Sequence, residues 1–418
     1  MKYIDLFAGA GGLSEGFIRT GFSPVAHVEM NTNAVDTLKT RMAYYHLLNS
    51  GKLNIYNDYL KGKINKEELY RNIPASLLNT CMCKTISEET IDDIFSQIDI
   101  ELKGDKIDVI IGGPPCQAYS LVGRSIKSAK DKEKLKNNEK IEDDPRNFLY
   151  LQYCKFLKKY KPKMFVFENV LGLITAQGGK FYKNFKALAR RCGYCVEDQV
   201  LQADKYGVMQ SRKRVIIVGW LKELDLKYPE IQEVSFEETI NDMFSDLPKL
   251  NPGEENNKYK IKEINKYLLE SRIRTKHDVL TQHIARPNIN RDREIYRRTI
   301  LKWNNGHQRL HYDELPEELK SHKNRKSFVD RYKVVEGDTS ACHTMMAHIS
   351  KDGHYYIHPD ISQARSISVR EAARIQSFPD NYYFEGGRTA AFMQIGNAVP
   401  PLMAEAIAKG IKKLLEKD

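Results

Sequence analysis

Six short apolar runs with strand character alternate with helical patterns over the first 220 residues. The runs lie at residues 3–7, 25–28, 107–111, 164–167, 195–201 and 215–220. Between them, apolar residues recur at three- and four-residue spacing, as amphipathic helices require, at residues 33–48, 147–160 and 181–191. This alternation predicts an α/β fold with a mostly parallel sheet that is covered on both faces.

The alternation stops after Trp220, and residues 221–362 are polar, basic and irregular. Regular patterns return near Ser368, and a helix with one apolar stripe follows Pro400. The chain is therefore predicted to contain a first domain at residues 1–222, completed by residues 388–418, and a smaller, irregular domain at residues 223–387.

Two local signals refine this outline. Ser368 and Glu371 form the sequence signature of a capping box, so a helix is predicted to begin there. Three polar stretches, at about residues 49–75, 123–144 and 249–270, are predicted to be loops.

The charge of the chain favours an anionic partner. The formal net charge is +11 and the isoelectric point is near 9.0, a balance that is typical of proteins that bind nucleic acid. No apolar stretch approaches the ~20 residues that a membrane span needs. We expect no membrane association.

The seven cysteines suit reduced thiols in the cytoplasm, because their number is odd and no signal peptide is evident. Cys81, Cys83, Cys192 and Cys195 could be combined into a zinc site. Ordinary packed thiols are the better interpretation, since Cys192 and Gly193 suit the end of one helix and Cys195 suits the next strand. We expect no metal.

A stiff turn carries the most informative cysteine. The run Gly113-Pro114-Pro115-Cys116-Gln117 follows the buried strand predicted at residues 107–111. Two prolines end a strand and restrict the backbone, so Cys116 is held at the carboxyl end of that strand. Because ligands bind at this edge of open α/β sheets, the thiol is predicted to be a nucleophile.

A glycine-rich turn ends the first predicted strand, at residues 5–13 (DLFAGAGGL). Glycines let the backbone turn tightly and let a ligand approach the start of a helix. Glu29 ends the second strand, 20 residues after Gly9, where a carboxylate can accept hydrogen bonds from ribose hydroxyls. Taken alone, Glu29 could equally be a solvated loop acid.

Further charged residues flank two other predicted strands. Glu168 follows the strand at residues 164–167, and Arg212 and Arg214 lie two apart at the start of the last one, so they should share a face. Each could be structural: a helix-capping acid and two solvated arginines. However, the glycine turn, Glu29, Cys116 and Glu168 follow four different strands, and all four should converge on one edge of the sheet.

Together these motifs resemble those of DNA cytosine-5 methyltransferases of the bacterial restriction–modification type. The most specific are Pro-Pro-Cys-Gln, Glu-Asn-Val, Gln-x-Arg-x-Arg and Gly-Asn-Ala-Val, and the matches run in the family's order. The resemblance implies a Rossmann-like domain dependent on S-adenosylmethionine, with a smaller target-recognition domain inserted before the C-terminal segment. The matched segments are residues 5–17, 29, 112–120, 165–170, 210–220, 365–379 and 394–401.

The resemblance also implies a mechanism. Thiolate attack by Cys116 on C6 of a flipped cytosine makes C5 nucleophilic, so that C5 can take the methyl group of S-adenosylmethionine. Glu168, Arg212 and Arg214 hold and polarise the base. The residues implied at the cofactor are Phe7, Ala8, Gly9, Gly11, Glu29, Pro114, Asn397 and Val399. Those implied at the base or the DNA are Pro115, Gln117, Ser120, Asn169 and Val170.

Residues 221–362 match the part of such enzymes that recognises the target. Residues 271–333 alone carry a net charge of +8, which suits contacts with phosphates. Arg286, Arg291 and Arg293 are candidates for reading guanine edges, although a solvated charged face is the simpler interpretation of any one basic run. The acid that usually contacts the cofactor's adenine, after the third strand, has no clear match at residues 81–87.

The expected partner is double-stranded DNA, with a cognate restriction endonuclease in the cell and a monomeric enzyme in the bacterial cytoplasm or nucleoid. Two alternatives stay open: an RNA cytosine-5 methyltransferase of the same fold, and a DNA-binding regulator without activity. Enzymes that methylate amino groups are disfavoured, because their turn carries Asp or Asn before Pro-Pro and an aromatic residue after it.

Overall fold

The computed structural model describes residues 1–115, 148–321 and 329–417. The strands are β1 (Lys2–Leu6), β2 (Ser23–Glu29), β3 (Cys81–Cys83), β4 (Val109–Gly112), β5 (Met164–Asn169), β6 (Tyr194–Gln202), β7 (Gln210–Ser211), β8 (Lys213–Leu221) and β9 (Cys342–His343). The α-helices in this part of the chain are Gly12–Arg19, Thr32–Asn49, Leu53–Leu60, Lys66–Arg71, Ala75–Asn79, Ile91–Leu102, Leu149–Tyr160, Gly172–Thr175, Lys180–Arg191, Ile240–Phe244, Lys266–Glu270, Asn290–Asn304, Val369–Ile375, Arg388–Asn397 and Pro401–Leu415.

A seven-stranded sheet organises the first half of the chain, in the order β3-β2-β1-β4-β5-β8-β6. The five strands from β3 to β5 are parallel, and β8 and β6 continue the sheet in antiparallel pairs. The predicted mostly parallel α/β sheet is confirmed. All six predicted strands are present, and the short edge strand β3 adds a seventh.

Alternation along the strands builds a core on each face of the sheet. Ile4, Leu6 and Ile110 face one core, which the helices Ile91–Leu102, Leu149–Tyr160 and Lys180–Arg191 cover. Tyr3, Val109 and Ile111 face the other core, which is covered by Gly12–Arg19 and the C-terminal helix Pro401–Leu415. The C-terminal helix therefore packs on the sheet that the first half of the chain forms. That residues 388–418 complete the first domain stays a prediction.

Gly16 permits the close packing of those last two helices. A Cβ atom at Gly16 would lie 2.3 Å from the backbone nitrogen of Glu405, so a side chain there would push the helices apart. The capping box of Ser368 and Glu371 is also present, and Pro401 is the first residue of the C-terminal helix, as expected.

The loop predicted at residues 49–75 is wrong, because this stretch contains Leu53–Leu60 and Lys66–Arg71 and is followed by Ala75–Asn79. Tyr56 and Leu69 are fully buried against Thr32–Asn49, and the Tyr56 hydroxyl donates to the carbonyl of Asn381 at 2.8 Å. These tertiary contacts stabilise helices that are too short to be stable alone. The predicted loop at residues 249–270 ends in the helix Lys266–Glu270, and the one at 123–144 lies outside the described residues.

A separate core unites residues 240–398 with Ala10 and Met209. Helix Arg388–Asn397 buries Phe392 and Ile395 in this core, whereas Pro401–Leu415 packs on the sheet. Helix Asn290–Asn304 lies in the stretch that was expected to be irregular, and its buried face, with Ile295 and Ile300, forms a smaller core. The boundaries at 222/223 and 387/388 stay predictions.

The alternative zinc site is excluded by topology. Cys81 and Cys83 lie on β3, and Cys195 lies on β6, so the two cysteine pairs are at opposite edges of the sheet. Residues 1–115, 148–321 and 329–417 contain no group of three or more metal-binding side chains. Within the same ranges, no helix is both long and apolar enough to span a bilayer.

A buried ion cluster lies on the helix Val369–Ile375, within the core that residues 240–398 form. Arg374 donates to Asp246 and to Asp380, each at 2.6 Å, and all three side chains are almost fully buried. Substitution Arg374→Met should cost about 3–5 kcal/mol of unfolding free energy, because Asp380 and Asp246 would each lose a buried cationic partner. Asp246 would keep its pair with Arg274 at 2.6 Å. Urea denaturation measures this loss.

Lys413→Met is the matched control, since Lys413 pairs with Glu230 at 3.3 Å on the exposed surface. Its cost should not exceed about 1 kcal/mol. Equal costs in unfolding free energy for the two variants would show that the buried cluster of Arg374, Asp246 and Asp380 does not stabilise the fold.

Candidate active site

The carboxyl ends of β1, β4 and β5 are brought together by two glycines. A Cβ atom at Gly112 would lie 1.9 Å from the carbonyl oxygen of Leu6, and one at Gly113 would lie 1.8 Å from that of Glu168. Gly112 also has a φ of 125°, which disfavours any other residue. The turn after β4 therefore passes between the ends of its two neighbouring strands.

Asn169 fixes the proline turn in this position. Its side-chain amide is buried and donates to the carbonyl of Pro114 at 3.1 Å, while its Oδ1 accepts from the backbone of Val170 at 2.9 Å. Pro114 is buried and Pro115 is half-buried. The Asn169 side chain, which was predicted to contact the base, thus supports the turn. Cys116, Gln117 and Ser120 lie outside the described residues.

Glu168 and Arg214 form an ion pair beside this turn. The distance from Arg214 Nε to Glu168 Oε1 is 2.8 Å, and the side chains are 12% and 17% exposed. The pair spans the antiparallel strands β5 and β8, which keep a regular register up to Asn169 and Val215. A partly buried carboxylate held beside a guanidinium offers hydrogen-bond acceptors and donors side by side to a planar polar ligand.

Arg212 is fully buried and lies in the one-residue break between β7 and β8. Its guanidinium donates to the carbonyls of Met345, at 2.5 Å, and Gly396, at 3.2 Å. Arg212 therefore links the strand that carries Arg214 to two segments from the last third of the chain. Its predicted contact with the base stays a prediction.

The glycine-rich turn and Glu29 contact each other directly. Oε2 of Glu29 accepts from the backbone of Gly9 at 2.9 Å, and its Oε1 accepts from the backbone of Asn31 at 2.8 Å. Phe7, Gly9 and Gly11 all have positive φ, and a Cβ atom at Gly9 would meet no atom within 4 Å. The turn is thus tightly wound and open to a ligand at Gly9.

The C-terminal return closes the back of this turn. A Cβ atom at Gly12 would lie 2.2 Å from the carbonyl oxygen of Val399, and the Tyr382 hydroxyl donates to the carbonyl of Ala10. Asn397 ends its helix with an exposed side chain, two residues before the buried Val399. The segments predicted to share a cofactor pocket are therefore in contact at Gly12 and Val399.

Asp5 is a site residue that the sequence analysis quoted but did not assign a role. It is 1% exposed, and its Oδ2 has no hydrogen-bond partner among the described residues. Burial, and then the nearby charge of Glu29, raise the pKa of Asp5 well above its usual range. The signal was available, since an acid at the end of a buried strand is costly unless it is used.

The three arginines proposed to read DNA have different surroundings. Arg286 is half-buried and donates to the carbonyls of Lys351 and Ile349, both at 2.8 Å. Arg291 pairs with Asp292 at 3.1 Å. Arg293 has no ion pair with any acid in the described ranges. The structure thus gives Arg286 an internal function that the sequence did not indicate.

Known proteins resemble this chain over its whole length. The family described as C-5 cytosine-specific DNA methylase matches residues 1–65 and 76–413. The type II methyltransferase M.Bpa9945I of Bacillus paralicheniformis is 41% identical over 459 aligned residues, which cover 99% of each chain. The type II methyltransferase M.AgeI of Thalassovita gelatinovora is 28% identical, again over 99% of each chain.

Solved structures share the fold. A prophage-encoded protein of E. coli, described as a candidate DNA modification methyltransferase, superposes with a TM-score of 0.65 at 23% identity and covers 100% of this chain and 99% of its own. The methyltransferase EhMeth of Entamoeba histolytica gives a TM-score of 0.55 at 14% identity, with coverage of 99% and 98%.

The raised pKa of Asp5 predicts a measurable pH dependence of stability. The folded protein holds a proton on Asp5 that the unfolded chain releases near pH 4, so the unfolding free energy should fall as pH rises above that value. Substitution Asp5→Asn, which mimics the protonated acid, should remove this fall. Urea denaturation at pH 5 and pH 8 compares the two proteins.

Asp105→Asn serves as the control, because Asp105 is exposed and pairs with Lys2 at the surface. It should keep the wild-type pH dependence. If Asp5→Asn also keeps it, Asp5 is ionised in the folded state and the assignment of a buried neutral acid fails.

Proposed function

The chain belongs to the C-5 cytosine-specific DNA methylase family, and from this premise we propose that it methylates C5 of cytosine within a specific sequence of duplex DNA. Full-length similarity to type II methyltransferases supports a role as the modification enzyme of a restriction–modification system. The observation that carries the proposal is the contact between Gly113 and the Glu168 backbone, because it brings the turn at residues 113–115, which Cys116 follows in the sequence, next to the acid.

Cys116 is proposed as the nucleophile. Its thiolate forms a bond to C6 of cytosine, and the electron pair of the C5–C6 double bond makes C5 nucleophilic. After C5 has gained a methyl group, it loses its proton, and the returning electron pair expels the Cys116 thiolate. The aromatic ring is restored and the enzyme is unchanged.

Glu168 and Arg214 are proposed to hold the ring during this addition. Glu168 contacts N3 and the exocyclic amino group, where it can supply a proton as charge builds on N3. The 2.8 Å ion pair orients the carboxylate. Nη1 of Arg214 donates to the carbonyl of Lys213 at 2.8 Å, so Nη2 is the nitrogen proposed to meet the base. Arg212 supports this position from the buried side, through the carbonyls of Met345 and Gly396.

The open turn fits S-adenosylmethionine, which would supply an electrophilic methyl group on its sulfonium. The fit rests on the free space at Gly9, the Glu29 carboxylate beside it and the unpartnered Oδ2 of Asp5, which could accept a hydrogen bond from an ammonium group. The residues proposed to bind the cofactor are Phe7, Ala8, Gly9, Gly11, Glu29, Pro114, Asn397 and Val399, with Asp5 added.

The proposed cofactor contacts include no acidic side chain at the end of β3 that would bind the adenine. Cys83 is the residue paired in register with Glu29, and the following Lys84 forms an ion pair with Asp93. We assign no side chain to the adenine amino group.

Duplex DNA is the proposed substrate, and the target cytosine must leave the base stack to reach Cys116. Pro115, Gln117, Ser120 and Val170 are proposed to contact the base or its strand. We further propose a cognate restriction endonuclease as cellular partner, a monomeric enzyme and a location with the DNA in the bacterial cytoplasm.

Methyl transfer from labelled S-adenosylmethionine tests the proposal directly. The purified chain should label plasmid DNA, with the label recovered as 5-methylcytosine, and Cys116→Ser should abolish the labelling. Label in tRNA but not in DNA would favour the RNA methyltransferase. DNA binding with no transfer to either substrate would favour a regulator.

The role of Glu168 predicts a large effect on the chemical step. Glu168→Gln keeps the shape of the side chain but removes the acid, so the single-turnover rate of methyl transfer should fall about 10²–10⁴-fold, with DNA binding little changed. Glu197→Gln, at an exposed position of β6 in the same sheet, should keep the wild-type rate. A wild-type rate in Glu168→Gln would overturn the assignment.

A further inference from the structure

The backbone of residues 344–353, here the anchored segment, begins in contact with the strand that leads to Arg214. Met345 donates its backbone N–H to the side chain of Gln210 at 2.7 Å and accepts from Arg212 at 2.5 Å. The hydroxyl of Thr344 donates to the carbonyl of Ser211. The start of the segment is thus held against residues 210–212.

Arg286 holds the far end of the anchored segment. Its Nη1 donates to the carbonyl of Lys351 and its Nη2 to that of Ile349, both at 2.8 Å. The guanidinium lies 5.6 Å from the centre of the Phe392 ring. A Cβ atom at Gly353, where φ is 78°, would lie 3.5 Å from Arg286 Nε. Both terminal nitrogens of the Arg286 guanidinium thus donate to carbonyls of the protein backbone.

Helix Arg388–Asn397 supports the middle of the segment. A Cβ atom at Gly396 would lie only 2.5 Å from the backbone nitrogen of Ala347, so the helix and the segment are in direct contact. The segment is therefore fixed at both ends and in the middle.

Three side chains of this fixed backbone are exposed: Met346, Lys351 and Asp352. Met346 is 43% exposed and directly follows Met345, whose carbonyl accepts from the buried Arg212. Neither Lys351 nor Asp352 forms an ion pair with the described part of the protein. Oδ1 of Asp352 accepts from the backbone N–H of His354 at 3.0 Å, so Oδ2 is the oxygen available to a ligand. In contrast, the exposed Arg298 on Asn290–Asn304 is paired with Glu294 at 2.9 Å.

We propose that Arg286 is a positioning residue that holds the anchored segment, and that Met346, Lys351 and Asp352 determine which DNA sequence is methylated. The inference rests on the proposed function. In the major groove, a lysine can donate to guanine O6 and N7, an aspartate can accept from the cytosine amino group, and an apolar side chain can contact the thymine methyl group. Arg286 itself reads no base, because its Nη atoms are used by carbonyls.

The sequence preference of methylation distinguishes two roles of Arg286: holding the anchored segment in place, or contributing only its positive charge to DNA binding. Wild type, Arg286→Gln, Arg286→Lys and the control Arg298→Gln are each incubated with a plasmid library that contains randomised sites. Bisulfite sequencing then gives the methylated sites and their relative rates. Filter binding to unrelated DNA at several salt concentrations measures the contribution of charge.

Arg286→Gln should lower the preference for the wild-type site over single-base variants by about tenfold or more. Arg286→Lys, which can hold one carbonyl but not two, should give an intermediate loss. Arg298→Gln removes the same charge and should keep the wild-type preference. An unchanged preference in Arg286→Gln, with salt dependence reduced by one ionic contact, would show a phosphate contact and overturn the inference.

Lys351→Gln and Asp352→Asn test the reading side chains separately and preserve folding, because both positions are exposed. At least one of them should change the preferred base at one position of the site by about tenfold. Wild-type preference in both would overturn the reading role even if Arg286→Gln fails to fold. A wild-type chain that methylates no cytosine in DNA would instead refute the proposed function.

Discussion

The passage of Gly112 and Gly113 between two neighbouring strand ends is the constraint on which the site depends. The carbonyl oxygens of Leu6 and Glu168 lie where a Cβ atom at position 112 or 113 would be. Only glycine therefore fits at these two positions, at the end of β4. Leu6 leads into the glycine-rich turn, and Glu168 carries the acid. One backbone contact on each side therefore sets the spacing between the proposed cofactor turn, the turn at Pro114 and Pro115, and the carboxylate.

The last third of the chain completes this arrangement from the other side. Val399 contacts the glycine-rich turn at Gly12, and the carbonyls of Met345 and Gly396 accept hydrogen bonds from Arg212. Because a buried guanidinium without partners is costly, Arg212 couples the position of these segments to that of Arg214 and Glu168. Residues as far apart in the sequence as Arg212 and Gly396, which are 184 positions apart, thus form one junction.

Much of this structure could be predicted from local patterns. Period-two burial, glycine turns and the Ser368–Glu371 capping box depend on neighbouring residues, and the convergence of strand ends follows from parallel order alone. The helices at residues 53–79 could not be predicted in this way. They are only five to eight residues long, and their stability comes from distant contacts such as that between Tyr56 and Asn381.

The contacts of individual charged side chains could not be predicted from the sequence either. The sequence shows that Arg286 is basic and lies in a basic stretch, but not that its partners are the carbonyls of Ile349 and Lys351. The resemblance implied that Glu168 and Arg214 hold the same base, whereas the 2.8 Å pairing between them depends on the antiparallel register of β5 and β8. The sequence shows what kinds of group a charged side chain can bind, and the tertiary structure determines which group it does bind.

Covalent capture tests the central proposal most directly, that the Cys116 thiolate attacks a cytosine that Glu168 holds. Plasmid-length DNA made with 5-fluorocytosine carries fluorine in place of the C5 proton that must leave, so the adduct cannot be released after methyl transfer. In the presence of S-adenosylmethionine, a denaturation-resistant complex should form, and peptide mapping should find the nucleotide on Cys116. Methylation of ordinary DNA without any such complex, or attachment to another residue, would contradict the account.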